Sequence, residues 1–208
     1  MDWKLAKVSP IYKTRERIDP NKYRPIPVLS TIARIFEKVI YEQLYDYLSR
    51  KNISDPRQSE FRSLHSTVTA LLDLINQWCF NIERGLINGV MFLDLKKAFD
   101  TVDHNLLLIK LEYVGVRGQT LEWFKSCLSN RSQVVFINGV FSEHEQIKCG
   151  VPQGSILGPL LFLIYINDLS SIIDFATTRM YADDTNFCLL YTSPSPRDLS
   201  TSRMPSSA

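Results

Sequence analysis

The sequence predicts an α+β domain whose sheet is mostly antiparallel. Two stretches of helical hydrophobic periodicity, an Asn-Gly turn between apolar strands, and an acidic turn between two later strands support this prediction. The helices and strands do not follow a regular β-α-β repeat, which argues against a parallel α/β fold. With 208 residues, 45% of them apolar, the chain is long enough for one domain with its own core.

Two longer helices are predicted from the spacing of apolar residues. Between Ile32 and Leu48, such residues recur at helical intervals, with Ser30 or Thr31 as the N-cap. A second helix is predicted from about Ser66–Glu83, ended by Gly85. The residues expected to be buried on this second helix are Val68, Leu71, Leu72, Ile75, Trp78 and Ile82.

The remaining elements are shorter. A strand is predicted at Val90–Leu95, and a hairpin joins Val134–Ile137 to Val140–Phe141 through Asn138-Gly139, a dipeptide that tolerates the positive φ of a type I′ turn. The segment Arg179–Phe187 is predicted as strand, acidic turn and strand. Further helices are predicted at residues 105–113, 121–128 and about 160–168.

Charge and composition restrict the compartment and the partners. The net charge of +2 combines +5 over residues 1–34, which carry eight Lys/Arg and three Asp/Glu, with −3 over the rest. This asymmetry suits a protein that holds phosphates and cations in different places, although a plain solvated surface is the open alternative. The longest apolar run, Ile156–Ile166, is too short to span a bilayer, which takes about 20 residues. Without a signal peptide or C-x-x-C spacing, we expect an intracellular protein with neither a membrane segment nor a disulfide-linked partner.

Three separate motifs carry residues suited to chemistry: Phe92–Asp100, Gly150–Ser155 and Tyr181–Asp184. Each is weak by itself, because an Asp that closes a strand or occupies a turn is usually structural. Together, the flanking strands are expected to place Asp94 and Asp183-Asp184 at the ends of adjacent strands. Carboxylates gathered there repel each other unless cations lie between them, and such oxygen ligands suit Mg²⁺. Two such ions form the clamp used for nucleotidyl transfer.

With these motifs, residues 3 to about 187 resemble the reverse transcriptases of non-LTR, LINE-like retrotransposons. The resemblance implies a right-hand polymerase, with fingers at roughly 1–89 and palm with interleaved fingers at roughly 90–187. It also implies a ferredoxin-like antiparallel palm sheet packed by helices. The other segments that carry the resemblance are Trp3-Lys4, Pro10–Lys13, Asn21–Ile26, Gln58–Arg62 and His65–Thr67.

The implied activity is RNA-directed DNA synthesis, in which a primer 3′-hydroxyl attacks the α-phosphate of a dNTP. The partners would be an RNA template, a DNA primer and dNTPs, in the cytoplasm and nucleus, and the cofactors two Mg²⁺ or Mn²⁺ ions. By the resemblance, Asp94 and Asp183 ligate both ions, the carbonyl of Leu95 completes one metal shell, and Asp184 shapes the charge of the site.

The resemblance also implies nucleotide-binding roles. Lys13 and Arg24 match cations that hold the incoming triphosphate, Phe99 matches a steric gate against a ribose 2′-hydroxyl, and Gln153 belongs to the loop near the nascent base pair. The residues alone leave structural alternatives open for these positions. Lys13 and Arg24 would then be solvated side chains, Phe99 would be a core residue, and Gln153 would stabilise its loop. The residues expected near template and primer are Gly150, Gly154 and Arg62.

Two positions depart from the family pattern. Glu60 stands where the family usually has Gly, and Ser63-Leu64 stand where it usually has Pro-Gly. We expect a carboxylate at position 60 to add repulsion against template phosphates.

The composition changes after Phe187. Residues Cys188–Ala208 contain six Ser and three of the ten Pro, and their back-translation resembles a transposase-end sequencing adapter. We interpret this tail as translated adapter and expect it to be disordered, although Cys188–Tyr191 are apolar enough to finish a strand. A genuine disordered tail is the alternative.

The chain is accordingly interpreted as a truncated fragment without its thumb. The family's reading frame often carries an upstream endonuclease, so Met1 as an internal methionine and Met1 as the natural start both stay open. Catalysis requires the primer end to be held in near-attack geometry, so we expect no processive synthesis by this chain. The alternative function is an inactive remnant that at most binds nucleic acid.

Overall fold

The computed structural model describes residues 4–12, 19, 22–62, 65–152, 154–173 and 175–192. Within these ranges, no helix is both long and apolar enough to cross a lipid bilayer. In chain order the elements are β1 (Leu5–Tyr12), β2 (Tyr23–Val28), α1 (Thr31–Arg50), α2 (Thr67–Glu83), β3 (Leu86–Leu93), α3 (His104–Tyr113), α4 (Gln119–Leu128), β4 (Arg131–Ile137), β5 (Val140–Phe141), β6 (Glu145–Ile147), α5 (Leu157–Ile166), α6 (Leu169–Ile172), β7 (Thr177–Tyr181) and β8 (Asp184–Thr192).

The chain divides into two compact units, and each unit is built from two chain segments. The first unit comprises residues 1–56 and 95–168, and the second comprises residues 57–94 and 169–208. Neither unit coincides with the predicted fingers (residues 1–89) or the predicted palm with interleaved fingers (residues 90–187), because each unit draws on both halves of the chain. The assignment of fingers and palm to these residues stays a prediction.

The first unit contains a sheet in the order β2-β1-β4-β5, with β6 also paired to β4. The β1–β4 pair is parallel, with Leu5 opposite Ser132, and the other strand pairs of this sheet are antiparallel. The predicted hairpin is confirmed, since Asn138 and Gly139 have φ of 50° and 84° between β4 and β5. A mixed fold with mainly antiparallel pairing therefore agrees with the predicted class.

The helices of the first unit surround a buried, wholly apolar helix. Eight of the ten residues of α5 are buried, and α5 packs against α1 and α3, which in turn packs against α4. Helix α1 begins as predicted at Ser30, whose Oγ accepts a hydrogen bond from the Ala33 backbone N–H at 3.2 Å. The core of the unit includes Leu107, Leu111, Phe124 and Phe162.

The second unit is a three-stranded antiparallel sheet in the order β3-β8-β7, with α2 packed against β3 and β7. Arg179 on β7 donates from Nε to Asp73 of α2 at 2.9 Å. Between α2 and β3, Asn81 donates to the side-chain oxygen of Asn88 at 2.7 Å, so the packed face of the helix includes a paired amide. The helix itself begins with a capping box formed by Ser66 and Thr69.

The predicted buried face of α2 is wrong. Its described buried residues are Leu74 and Asn81, and Trp78 is half-buried. Apolar residues lie nearly all around this helix, so periodicity alone does not identify the face that packs on the sheet. The five predicted core residues that are instead exposed are Val68, Leu71, Leu72, Ile75 and Ile82.

Strand β8 continues past Phe187, so residues 188–192 are not a disordered tail. Val90 pairs with Cys188 and Leu86 pairs with Thr192, which gives β3 a partner along its whole length. The expectation that Cys188–Tyr191 finish the strand is confirmed, because their apolar side chains suit a half-buried sheet. Residues 193–208 lie outside the described residues.

Candidate active site

Three carboxylates lie at one end of the sheet in the second unit. Asp94 directly follows β3, and the register that pairs Leu93 with Thr185 brings Asp94 beside Asp184, the first residue of β8. Asp183 lies in the turn between β7 and β8. The predicted placement of these residues at the ends of adjacent strands is confirmed. Asp94 and Asp184 are exposed, whereas Asp183 is half-buried.

The turn that carries Asp183 has an unusual backbone. Tyr181 pairs with Asp184, which leaves Ala182 and Asp183 as the two central residues. Ala182 has φ of 53°, in the left-handed region that disfavours residues with a Cβ. The amide of Gln58 holds it from both sides: Ala182 N–H donates to Gln58 Oε1 at 3.0 Å, and Gln58 Nε2 donates to the Ala182 carbonyl at 3.2 Å.

Glu60 adds another negative charge to this end of the sheet. Burial, followed by the charges of Asp183 and Asp184, raises the pKa of Glu60 above its ordinary value. Glu60, which stands where the family usually has Gly, thus interacts electrostatically with the acidic turn. Its predicted effect on template phosphates stays a prediction.

The donor chemistry of this edge fits a hard divalent cation. The candidate ligands are all oxygen atoms, as Mg²⁺ and Mn²⁺ prefer, and two of the three carboxylates are exposed. Among the described residues, no group of three or more His, Cys, Asp or Glu side chains is gathered closely enough to hold a metal ion. Leu95 follows Asp94 and is half-buried, and the metal-binding role of its carbonyl stays a prediction.

In the first unit, Phe99 and the Gly150 loop lie together. The Val151 N–H donates to the Phe99 carbonyl at 2.8 Å, and the Gly150 N–H donates to the Val102 carbonyl at 2.7 Å. The half-buried ring of Phe99 stacks on Phe162 of α5, with 4.4 Å between ring centroids. Phe99 therefore has a packing role, which leaves its role as a steric gate untested.

Glu37 of α1 is hydrogen-bonded to the other end of this loop, and the sequence did not predict this contact. Its Oε2 accepts hydrogen bonds from Ser155 Oγ at 2.9 Å and from the Ile156 N–H at 2.8 Å, directly before α5. An acidic residue at a helix N-terminus is stabilised by the helix dipole. Glu37 is followed by Lys38 on a helix that carries other acids, so no local feature of the sequence indicated this role.

The other predicted site residues are dispersed. Arg24 is an exposed residue of β2, paired with Ile11, and Gly154 is exposed with φ of 92°. Arg62 donates from Nη1 to the Gln58 carbonyl at 3.2 Å, so it belongs to the segment that holds the acidic turn. Lys13 and Gln153 lie outside the described residues. The sequence marks Gln58 only as part of the segment Gln58–Arg62, because its hydrogen bonds are made to residues far along the chain.

Comparisons with known proteins agree on one family. Residues 11–199 match the family model described as reverse transcriptase (RNA-dependent DNA polymerase). The probable RNA-directed DNA polymerase from transposon X-element of Drosophila melanogaster is 31% identical over 201 residues, covering 94% of this chain and 22% of that protein. Its counterpart from transposon BS of the same organism is 32% identical over 205 residues, covering 92% and 22%. The chain thus spans about a fifth of the length of these relatives.

The fold is also that of a solved reverse transcriptase structure. A telomerase from Candida tropicalis, truncated from its C-terminal domain, superposes with a TM-score of 0.63 at 13% identity, over 95% of this chain and 45% of that one. At that identity the likeness shows the fold alone, which agrees with the expected fingers-and-palm fold class. The family match and the two transposon relatives show that the chain belongs to the reverse transcriptase (RNA-dependent DNA polymerase) family, as its resemblance to non-LTR retrotransposon polymerases implied.

Proposed function

We propose that this chain is the part of an RNA-directed DNA polymerase that performs nucleotidyl transfer. The observation that carries the proposal is the register that sets Asp94 beside Asp184, with Asp183 in the adjoining turn. The β3-β8-β7 sheet is then the palm, and the remaining strands and helices of residues 1–89 contribute mostly to the fingers. We infer that it works inside the cell, in the cytoplasm and nucleus, where an element's RNA and its DNA target are found.

Reverse transcriptases generally use divalent metal ions. In this chain, Asp94 and Asp183 would hold two Mg²⁺ or Mn²⁺ ions, with the carbonyl of Leu95 completing one shell. When bound, such ions stabilise negative charge on the attacking and leaving oxygens of an in-line displacement. Asp184, exposed beside Asp94, adds to the negative potential that attracts them.

The residues of the chain would bind and orient the reactants. A primer 3′-hydroxyl oxygen bonds to the α-phosphorus of a dNTP paired with an RNA template, and pyrophosphate leaves. Phe99 would exclude a ribose 2′-hydroxyl, and the Gly150 loop bonded to its backbone would carry Gln153 to the nascent base pair. Lys13 and Arg24 would hold the triphosphate, and Arg62 and Gly154 would lie near template and primer.

The test is single-nucleotide addition to an RNA-templated primer by the 208-residue chain. Asp94→Asn or Asp183→Asn should lower the addition rate by about 10³-fold or more, because each removes charge stabilisation from the transition state. Asp46→Asn, at an exposed position of α1, is the matched control and should leave the rate unchanged.

Two results would contradict the proposal. Addition at the wild-type rate by Asp94→Asn or Asp183→Asn would show that these carboxylates do not perform the transfer. No addition by a wild-type chain that still binds RNA would favour the alternative, a remnant that at most binds nucleic acid.

A further inference from the structure

A buried glutamine outside the carboxylate set controls the backbone beneath it. Gln58 is only 4% exposed, and Ala182 is likewise 4% exposed. Besides its two bonds to Ala182, Gln58 Oε1 accepts the Glu60 N–H at 3.1 Å. Three hydrogen bonds therefore satisfy one buried amide, which leaves little freedom for it to rotate.

The main chain fixes this amide in place. The segment around Gln58 runs parallel to β7: the Met180 N–H donates to the Arg57 carbonyl, and the Ser59 N–H donates to the Met180 carbonyl, both at 2.9 Å. Arg57 in turn donates from Nη1 to the Ser170 carbonyl at 2.9 Å. Gln58 thus reaches the acidic turn from a backbone that is itself hydrogen-bonded on both sides.

The turn requires such support. Of its two central residues, Ala182 has a positive φ and Asp183 does not, which is the pattern of a type II′ turn. That turn prefers glycine at the first central position, whereas an L-residue there is strained by roughly 1–2 kcal/mol. A primary amide offers one donor and one acceptor side by side, and these match the C=O and N–H of Ala182.

We propose that Gln58 is a positioning residue that holds Ala182 in its left-handed conformation and so sets where Asp183 and Asp184 stand relative to Asp94. The inference rests on the proposed function, because it assigns a purpose to the geometry of those carboxylates. A glutamate at position 58 would lack the donor for the Ala182 carbonyl, and an apolar residue would lack both bonds.

The experiment measures Mn²⁺ binding to the 208-residue chain by electron paramagnetic resonance, with the metal alone as probe. Gln58→Met should weaken binding about tenfold, the effect of losing roughly one net hydrogen bond of positioning. Gln77→Met is the matched control, because it removes another side-chain amide of the same unit, one that accepts from Arg179 at 3.1 Å. It should bind Mn²⁺ as the wild type does.

A rescue variant separates positioning from general stability. Glycine adopts positive φ freely, so Ala182→Gly should restore most of the Mn²⁺ affinity lost in Gln58→Met. Urea unfolding of both variants measures stability separately from Mn²⁺ affinity. Unchanged affinity in Gln58→Met, or an equal loss with and without Ala182→Gly, would overturn the inference.

A measurement on the wild-type chain needs no variant to fold. The Ala182 amide should exchange with deuterium at least about tenfold more slowly than an unbonded turn amide, even without metal. Exchange of the Ala182 amide as fast as that of an unbonded turn amide would overturn the inference, whatever the measured Mn²⁺ affinities. Mn²⁺ binding that is indifferent to Asp183→Asn would instead overturn the proposed function, so the two failures are distinguishable.

Discussion

Gly150 occupies a position that a residue with a Cβ cannot take without strain. Its φ is 89°, and an added Cβ would lie 2.7 Å from the Asp100 carbonyl oxygen. Its carbonyl lies 2.8 Å from His104 Nε2, so the backbone here is also hydrogen-bonded in place. The glycine lets the loop pass close to the segment that carries Phe99.

Gly150→Ala should lower the free energy of unfolding by about 2–4 kcal/mol, from left-handed strain plus overlap with the Asp100 backbone. The matched control is Gly139→Ala, at φ of 84° with no atom within 4 Å of the added Cβ. It should lower the free energy of unfolding by only about 1 kcal/mol. Urea unfolding measures both variants, and equal losses would show that the overlap at Gly150 is relieved by movement.

Phe99→Val should relax discrimination between dNTPs and rNTPs by at least about tenfold, if the ring excludes the 2′-hydroxyl. The control is Phe162→Leu, which removes the ring against which Phe99 stacks. That variant should lower stability without changing the dNTP/rNTP ratio. Single-nucleotide addition with each nucleotide class measures the ratio, and an unchanged ratio in Phe99→Val would leave Phe99 with packing alone.

The sequence was sufficient to predict where the carboxylates lie but not what supports them. Asp94 and Asp183-Asp184 follow or interrupt short apolar strands, and strand ends are local features that composition and turn chemistry reveal. Gln58 and Glu37 act through bonds to residues more than a hundred positions away in the chain. No periodicity records such a partnership, so only the fold identifies these two residues.

At the scale of elements, local chemistry explains which predictions succeeded. Helix α1 and the Asn138-Gly139 hairpin were predicted because caps and turns are encoded by adjacent residues. Strands β1 and β2 were not predicted, because Pro10, Pro25 and Pro27 interrupt their alternation. The structure accommodates these prolines because β2 is an edge strand and because Pro10 lies beyond the part of β1 that pairs with β4.

The reactivity of Cys188 tests the strand pairing of the second half of β8. Its side chain is buried, and burial raises the pKa of the thiol, so the reactive thiolate is scarcer than at an exposed cysteine. Iodoacetamide should therefore modify Cys188 at least about tenfold more slowly than the exposed Cys79 at pH 8. Raising the pH further should accelerate the modification of Cys188, because burial raises the pKa of its thiol. Equal rates, followed by mass spectrometry, would contradict strand pairing beyond Phe187.

At the scale of the whole molecule, the chain passes three times between its two units, after residues 56, 94 and 168. A cut after residue 94 therefore divides both units. It separates β3 from β8, which pair over Leu86–Leu93, and β1 from β4. Each fragment would expose apolar strand faces whose partners lie in the other fragment, and burial of such surface is the main favourable term in folding.

We expect neither fragment 1–94 nor fragment 95–208 to unfold cooperatively in urea by itself, whereas an equimolar mixture should recover a sigmoidal transition. The reactivity of Cys188 shows whether the missing strand is the cause. In fragment 95–208 alone, Cys188 lacks its partner Val90 and should react with iodoacetamide as fast as an exposed thiol. Adding fragment 1–94 should restore its protection, because β3 supplies the missing strand. A cooperative transition with a protected Cys188 in fragment 95–208 alone would show that β7 and β8 fold without β3, and that the interleaved units do not depend on both halves of the chain.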